Sequence, residues 1–253
     1  IGVVSGKGGV GKSSCSIGLS FALSEQKKRV LLIDMDEGMR CLDMLLGISE
    51  NLLFDISDVL GGRELSSCLM TVKKQPYLSL LAAPNEKGLI NYEEFGKFLS
   101  SLTDEDYDFV IVDLPAGVDP VLYKAFPFDT EFLCVLNPNA VSVRDAANIG
   151  TALSKIGRTG NIIINRYEPY FIKNPIFGSL DDIIDASALG LIGIVPESEK
   201  LTLTVKKTAP KLTGTVAAFN SFYSGQSQTI TIKNATPTKI YENEAKNTAK
   251  ATA

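Results

Sequence analysis

Residues Ser5 to Ser14, SGKGGVGKSS, set four glycines around two lysines and three hydroxyl side chains. Gly6, Gly11, Lys12 and Ser13 fall at the spacing G-x-x-x-x-G-K-[ST]. That spacing suits a phosphate-binding loop: the glycines let successive backbone N–H groups turn toward an anion, and the following helix adds the positive end of its dipole. Lys12 can then reach β- and γ-phosphates, and the Ser13 hydroxyl can ligate Mg²⁺. A plain glycine-rich turn is the simpler alternative. The setting between the apolar run IGVVS and a helical pattern opening near Ser13 favours the phosphate loop.

Three carboxylates stand at comparable places. RVLLID ends in Asp34, with Asp36 two residues on, and DFVIVD ends in Asp113, the arrangement of an aspartate that holds Mg²⁺ through water. An Asp-rich helix cap would explain one such residue more naturally than two followed by Gly38. Asn165 and Arg166 follow the run NIIIN, and Pro196 and Glu197 follow LIGIV. The chain has no histidine, so a catalytic base must be a carboxylate or the substrate itself.

The elements that position these residues are legible as short runs. IGVV, RVLLID, LSLLAAP, DFVIVDLP, EFLCVLN, NIIIN and LIGIVP are apolar at nearly every position, as strands covered on both faces are. Between them, SSCSIGLSFALSEQ, NYEEFGKFLSSL, VSVRDAANIGTALSKI and SLDDIIDASAL repeat apolar residues at three- and four-residue spacings. Such alternation predicts an α/β fold, a doubly wound, mostly parallel sheet flanked by helices on both faces. Ligands of these folds bind at the carboxyl ends of the strands, where the chemistry-bearing residues stand. With 253 residues one domain suffices, assigned here to residues 1–220. Residues 221–253, poor in large apolar side chains, read as a poorly ordered polar tail with one short strand at TITI.

A formal net charge of -4 without long basic runs argues against a nucleic-acid partner. Cys15, Cys41, Cys68 and Cys134 form no C-x-x-C pair, which suggests neither a disulfide scaffold nor a closed metal site and fits a reducing, cytoplasmic compartment. No apolar run is long enough to span a bilayer, and the opening IGVVSGKGG, with neither Met nor a basic leader, reads as a trimmed or incompletely recorded start.

One lysine suffices for a phosphate loop, so Lys7 is surplus. KGGVGKSS resembles the deviant Walker A loop of the MinD/ParA family of ATPases, and the resemblance extends over residues 1 to about 220. It implies an ATP hydrolase in which Lys7 reaches across an ATP-dependent homodimer to the partner's phosphates, a cation supplied in trans as arginine fingers are. A solvent-facing lysine that merely attracts ATP is the bland alternative. By the same resemblance Gly6, Gly8, Gly9, Val10, Gly11, Lys12, Ser13 and Ser14 cradle the nucleotide, Asp36 orients the attacking water, and Ser13, Asp34 and Asp113 serve Mg²⁺. Asn165, Arg166, Pro196 and Glu197 would hold adenine; the GTPase word N-K-x-D is absent.

DMDEGMRCLDMLLG, VDLPAGV, NPNAVSVRDA and VPES are most similar to the MinD-like branch, which positions the cell-division site. Arg144 and Asp145 match a helix start where activator or inhibitor proteins meet the dimer face, whereas Ala147 replaces a common acidic residue. Leu114 likewise stands where the family has a short side chain. MinD-like proteins rest on the inner face of the cell membrane through a basic amphipathic helix, and the tail shows none. A flagellar-number or pilus-assembly ATPase is the main alternative. A ParA-type partition ATPase would need a basic DNA surface, iron–sulfur relatives would need paired cysteines, a tyrosine kinase a tyrosine cluster, and a non-hydrolysing scaffold would not need Lys12, Asp36 and Asp113.

Overall fold

The computed structural model describes residues 1–49, 52–168 and 179–198. The segment expected to be a polar tail, with its expected strand at TITI, lies outside the described residues.

The strands expected within the described residues form: β1 (Gly2–Val4), β2 (Val30–Asp34), β4 (Leu78–Leu81), β5 (Phe109–Asp113), β6 (Phe132–Leu136), β7 (Gly160–Tyr167) and β8 (Gly190–Pro196). With β3 (Met70–Thr71) they make an eight-stranded sheet in the order β3-β4-β2-β5-β1-β6-β7-β8. Every pairing is parallel except that of β3, an antiparallel edge against β4. β1 sits between β5 and β6, so the loop that follows it emerges beside the ends of both. Register sets Asp34 opposite Asp113, the last residues of β2 and β5.

Successive residues of each strand enter opposite cores, which is why these strands read as unbroken apolar runs. Val4, Leu31, Ile33, Val112, Cys134 and Leu136 join one core; Val3, Val30, Leu32, Ile111 and Val135 join the other. α1 (Lys12–Glu25) covers the second through Cys15, Ile17 and Phe21, with Leu42 of α2 (Leu42–Leu46) beside it. The first is covered by Ile56 of α3 (Ile56–Leu60), Cys68 of α4 (Leu65–Cys68), Phe95 of α5 (Tyr92–Ser101), Leu122 of α6 (Pro120–Ala125), Val143 and Ile149 of α7 (Ala140–Lys155) and Ile183 of α8 (Leu180–Ser187). All four cysteines are free, and Cys15, Cys68 and Cys134 are buried in these layers. Among the described residues no helix is long and apolar enough to cross a membrane.

Candidate functional site

The loop between β1 and α1 is closed from below by Asp113. Its Oδ2 accepts from the Ser13 hydroxyl at 2.6 Å, its Oδ1 accepts from the Ser16 hydroxyl at 2.7 Å, and Lys12 Nζ stands 3.0 Å from Oδ1. Asp113 is fully buried and Lys12 is 7% exposed, so this ion pair is stable only because the hydroxyls satisfy the remaining lone pairs. Ser13 is half-buried, Ser14 exposed, and Val10 buried in the core as the loop's apolar anchor.

Two glycines are required by close approach. A Cβ at Gly6 would lie 2.3 Å from Asp145 Cβ, and one at Gly11 would lie 2.1 Å from Asn165 Nδ2. Gly11 and Gly9 also hold positive φ, 95° and 80°, which glycine adopts freely. Nothing lies within 4 Å of the Cβ positions of Gly8 and Gly9, so that side of the loop is an open cradle. Lys7 sits half-buried at its rim, with its carbonyl accepting from the Ser5 hydroxyl at 3.1 Å.

Asp34, expected to support the metal shell, holds the loop that follows β2. It is 1% exposed; Oδ1 accepts from the Asp36 amide at 2.9 Å, and Oδ2 accepts from the amides of Cys41 and Leu42 at 3.1 and 3.2 Å. Burial pushes its carboxyl up to about 6, the Asp113 charge adding to this and the three amides opposing it. Asp34 therefore shapes the loop that presents Asp36, whose own side chain is half-buried. Arg40 and Asp43 pair at 3.5 Å beside it.

Asn165 is 2% exposed and donates through Nδ2 to the Val10 carbonyl at 2.7 Å, while its Oδ1 has no partner. The next residue is the extra one of a bulge in the β7–β8 pairing. Arg166 adopts φ 56° there, and its Nε comes within 3.8 Å of Glu197 Oε2. Pro196 closes β8 just before it. The four residues expected to hold a base thus gather at the neighbouring ends of β7 and β8. Arg144 and Asp145 lie in the second turn of α7, Asp145 against Gly6 and Arg144 largely exposed, their side chains 3.7 Å apart.

Sequence reasoning missed Ser16, Asn137 and Cys41. With its amide nitrogen toward the loop, Asn137 donates to the Val10 and Asn165 carbonyls at 3.1 and 3.3 Å. Burial raises the Cys41 thiol to about 11, the neighbouring Ser13 opposing this. The only signal for Ser16 was its place one helical turn beyond Ser13; the other two have no local signature.

The residues fit magnesium and a nucleotide on structural grounds. Among the described residues no group of three or more His, Cys, Asp or Glu side chains could hold a metal alone. Mg²⁺ at nucleotide sites takes one or two protein ligands, with phosphates and water completing the shell, and Ser13 with Asp113 provides that number. The open cradle suits phosphates, and the orphaned buried Asn165 Oδ1 suits the amino group of a base.

The family model for the CobQ/CobB/MinD/ParA nucleotide binding domain matches residues 1–210. The chain belongs to this family. It is 36% identical over 213 residues to the septum site-determining protein MinD of Synechocystis, covering 82% of this chain and 79% of that one. The MinD of Helicobacter pylori is 33% identical over 219 residues, covering 82% and 81%. Among solved structures it resembles the MinC:MinD cell division protein complex of Aquifex aeolicus, with TM-score 0.73 and 30% identity over 93% of this chain and 98% of that one. It also resembles MinD of Pyrococcus horikoshii, complexed with Mg-ADP, with TM-score 0.68 and 25% identity over 80% and 82%. The expected kinship and P-loop fold are therefore borne out.

Proposed function

We propose that this chain is a Mg²⁺-dependent ATPase that acts as an ATP-driven dimerisation switch in positioning the cell-division site. The observation that carries the reading is the convergence of Lys12, Ser13 and Ser16 on the buried Asp113 directly beneath an open glycine cradle. Kinship to septum site-determining proteins supplies the biological output.

In this account the loop amides and the N-terminus of α1 receive the phosphates, while Asn165 Oδ1 accepts from the adenine amino group. Lys12 exchanges Asp113 for the β- and γ-phosphates, and Ser16 keeps Asp113 facing Ser13. Mg²⁺, held by Ser13 and through water by Asp113, would offset charge on the phosphate oxygens. Asp36 orients the attacking water, held in place by the loop that Asp34 pins. Lys7, at the rim, reaches the second subunit's phosphates, so hydrolysis needs the dimer and resets it. Exposed Met39, Leu89, Val118 and Val121, on the loops and first turn beyond β2, β4 and β5, provide apolar surface at the same end of the sheet. Regulatory proteins would meet the dimer near Arg144 and Asp145. A peripheral place on the inner membrane face follows from kinship alone.

Turnover tests the reading. Wild type should release phosphate from ATP only with Mg²⁺ and faster at higher protein concentration; Asp36→Ala should bind ATP yet turn over at least about a hundredfold more slowly. Mg²⁺-independent release, or full activity in Asp36→Ala, would refute it.

A further inference from the structure

Glu37, immediately after Asp36, turns its carboxylate onto three consecutive backbone amides of the connection between β4 and α5. Oε2 accepts from Gly88 at 3.1 Å, and Oε1 accepts from Leu89 and Ile90 at 2.8 Å each. Successive N–H groups converging on one anion form a backbone nest, and bonds to a charged acceptor are about twice as strong as neutral ones. Gly88, at φ 84°, makes the turn that aims them. A second tie lies beside the first, where the Gly38 amide donates to the Pro84 carbonyl at 3.0 Å.

The far end of the same segment grips the loop after β5. Tyr92 opens α5, and its hydroxyl donates to Asp119 Oδ2 at 3.2 Å. Asp119 caps α6, its Oδ1 accepting from the Val121 and Leu122 amides at 3.0 and 3.1 Å. Two residues earlier, Gly117 donates to the Ser5 carbonyl at 2.8 Å, at the foot of the phosphate loop, and its own carbonyl accepts from Tyr123 Oη at 3.0 Å. Burial, then the Asp119 and Glu37 carboxylates, raise the Tyr92 phenol, so it stays a protonated donor at neutral pH. An unbroken line of hydrogen bonds and short backbone links thus runs from Asp36 to the phosphate loop without crossing the nucleotide cradle.

We propose that residues 84–92 are a strap coupling the loop after β2, which bears Asp36, to the loop after β5, which meets the phosphate loop at Ser5, and that Glu37 is a positioning residue which fastens the strap and so fixes the loop bearing Asp36. The inference rests on the ATPase reading above. Glutamine at position 37 keeps the shape but removes the charge that gathers three donors, so it should loosen the fastening without unfolding a half-exposed site.

The experiment combines Mg-ATP turnover with amide hydrogen exchange on the full chain, for wild type, Glu37→Gln, Tyr92→Phe and the double variant. Glu37→Gln should lower kcat by about tenfold and leave KM within about twofold, because position and not binding is lost. Exchange should quicken at residues 88–90 and also at residues 118–122, and the double variant should turn over no more slowly than Glu37→Gln, since both cut one path. Faster exchange confined to residues 88–90 with unchanged kcat would reduce Glu37 to a local loop staple and overturn the proposal. Exchange needs no turnover, so an inactive wild type would sink the ATPase reading alone. The spread of exchange to residues 118–122 would then still support the strap, and its absence would still overturn it.

Discussion

Gly11 shows how little freedom the phosphate loop has. A methyl group there would collide with the Asn165 amide at 2.1 Å on a backbone already at φ 95°. Gly11→Ala should cost about 1–3 kcal/mol of stability and weaken nucleotide binding at least tenfold, read by denaturant melts and nucleotide titration. Gly8→Ala, with nothing within 4 Å of its Cβ, should leave stability nearly unchanged and serves as the control. Asp34 gives a prediction with a definite sign. Its folded-state value of about 6 exceeds the unfolded carboxyl value of about 3.9, so the folded protein binds that proton more tightly. The stabilisation is therefore fully present below about pH 4 and is lost as pH rises through about 6. Relative to Asp34→Asn, wild type should lose on the order of 1–3 kcal/mol between pH 4 and pH 7 in denaturant melts at the two pH values. No change in that difference would mean Asp34 titrates as an ordinary carboxyl.

At the scale of elements, α7 illustrates how a cap serves a site. Asn139 accepts from the Ser142 amide at 3.0 Å, Ser142 Oγ accepts from the Asn137 amide at 3.0 Å, and the second turn of α7 presses Asp145 against Gly6. Asn139→Ala should cost about 1 kcal/mol by thermal melting, and nucleotide should restore part of it by ordering the loop on the other side. The longer elements were legible in the sequence because strands buried on both faces and helices of several turns leave a periodic apolar signal. Helices α2, α3, α4 and α6, with four to six residues each, and the two-residue edge β3 were not. Caps and tertiary contacts decide such short pieces, and periodicity over one turn is uninformative. The same division holds at the site. The phosphate loop was readable because its chemistry is local, whereas the Ser16 bond to Asp113 spans 97 residues and the Asn165 bond to Val10 spans 155. Those contacts depend on sheet order, whereas Asp34 pins its loop through amides only two to eight residues along the chain.

At the scale of the molecule, the β1–α1 loop lies in the middle of the sheet and the exposed Met39, Leu89, Val118 and Val121 stand at the same end, so that end presents both the nucleotide cradle and apolar surface. Lys7 stands at that end while Lys12 is engaged beneath the loop, a division of labour that a second subunit would make sense of. The proposed switch joins two copies through ATP and Lys7. It is tested most directly by light scattering after size exclusion of Asp36→Ala, with and without Mg-ATP, alone and combined with Lys7→Ala. Mg-ATP should convert Asp36→Ala from monomer to dimer, and adding Lys7→Ala should abolish the dimer. A protein that binds Mg-ATP and stays monomeric, or that dimerises equally well without Lys7, would contradict it.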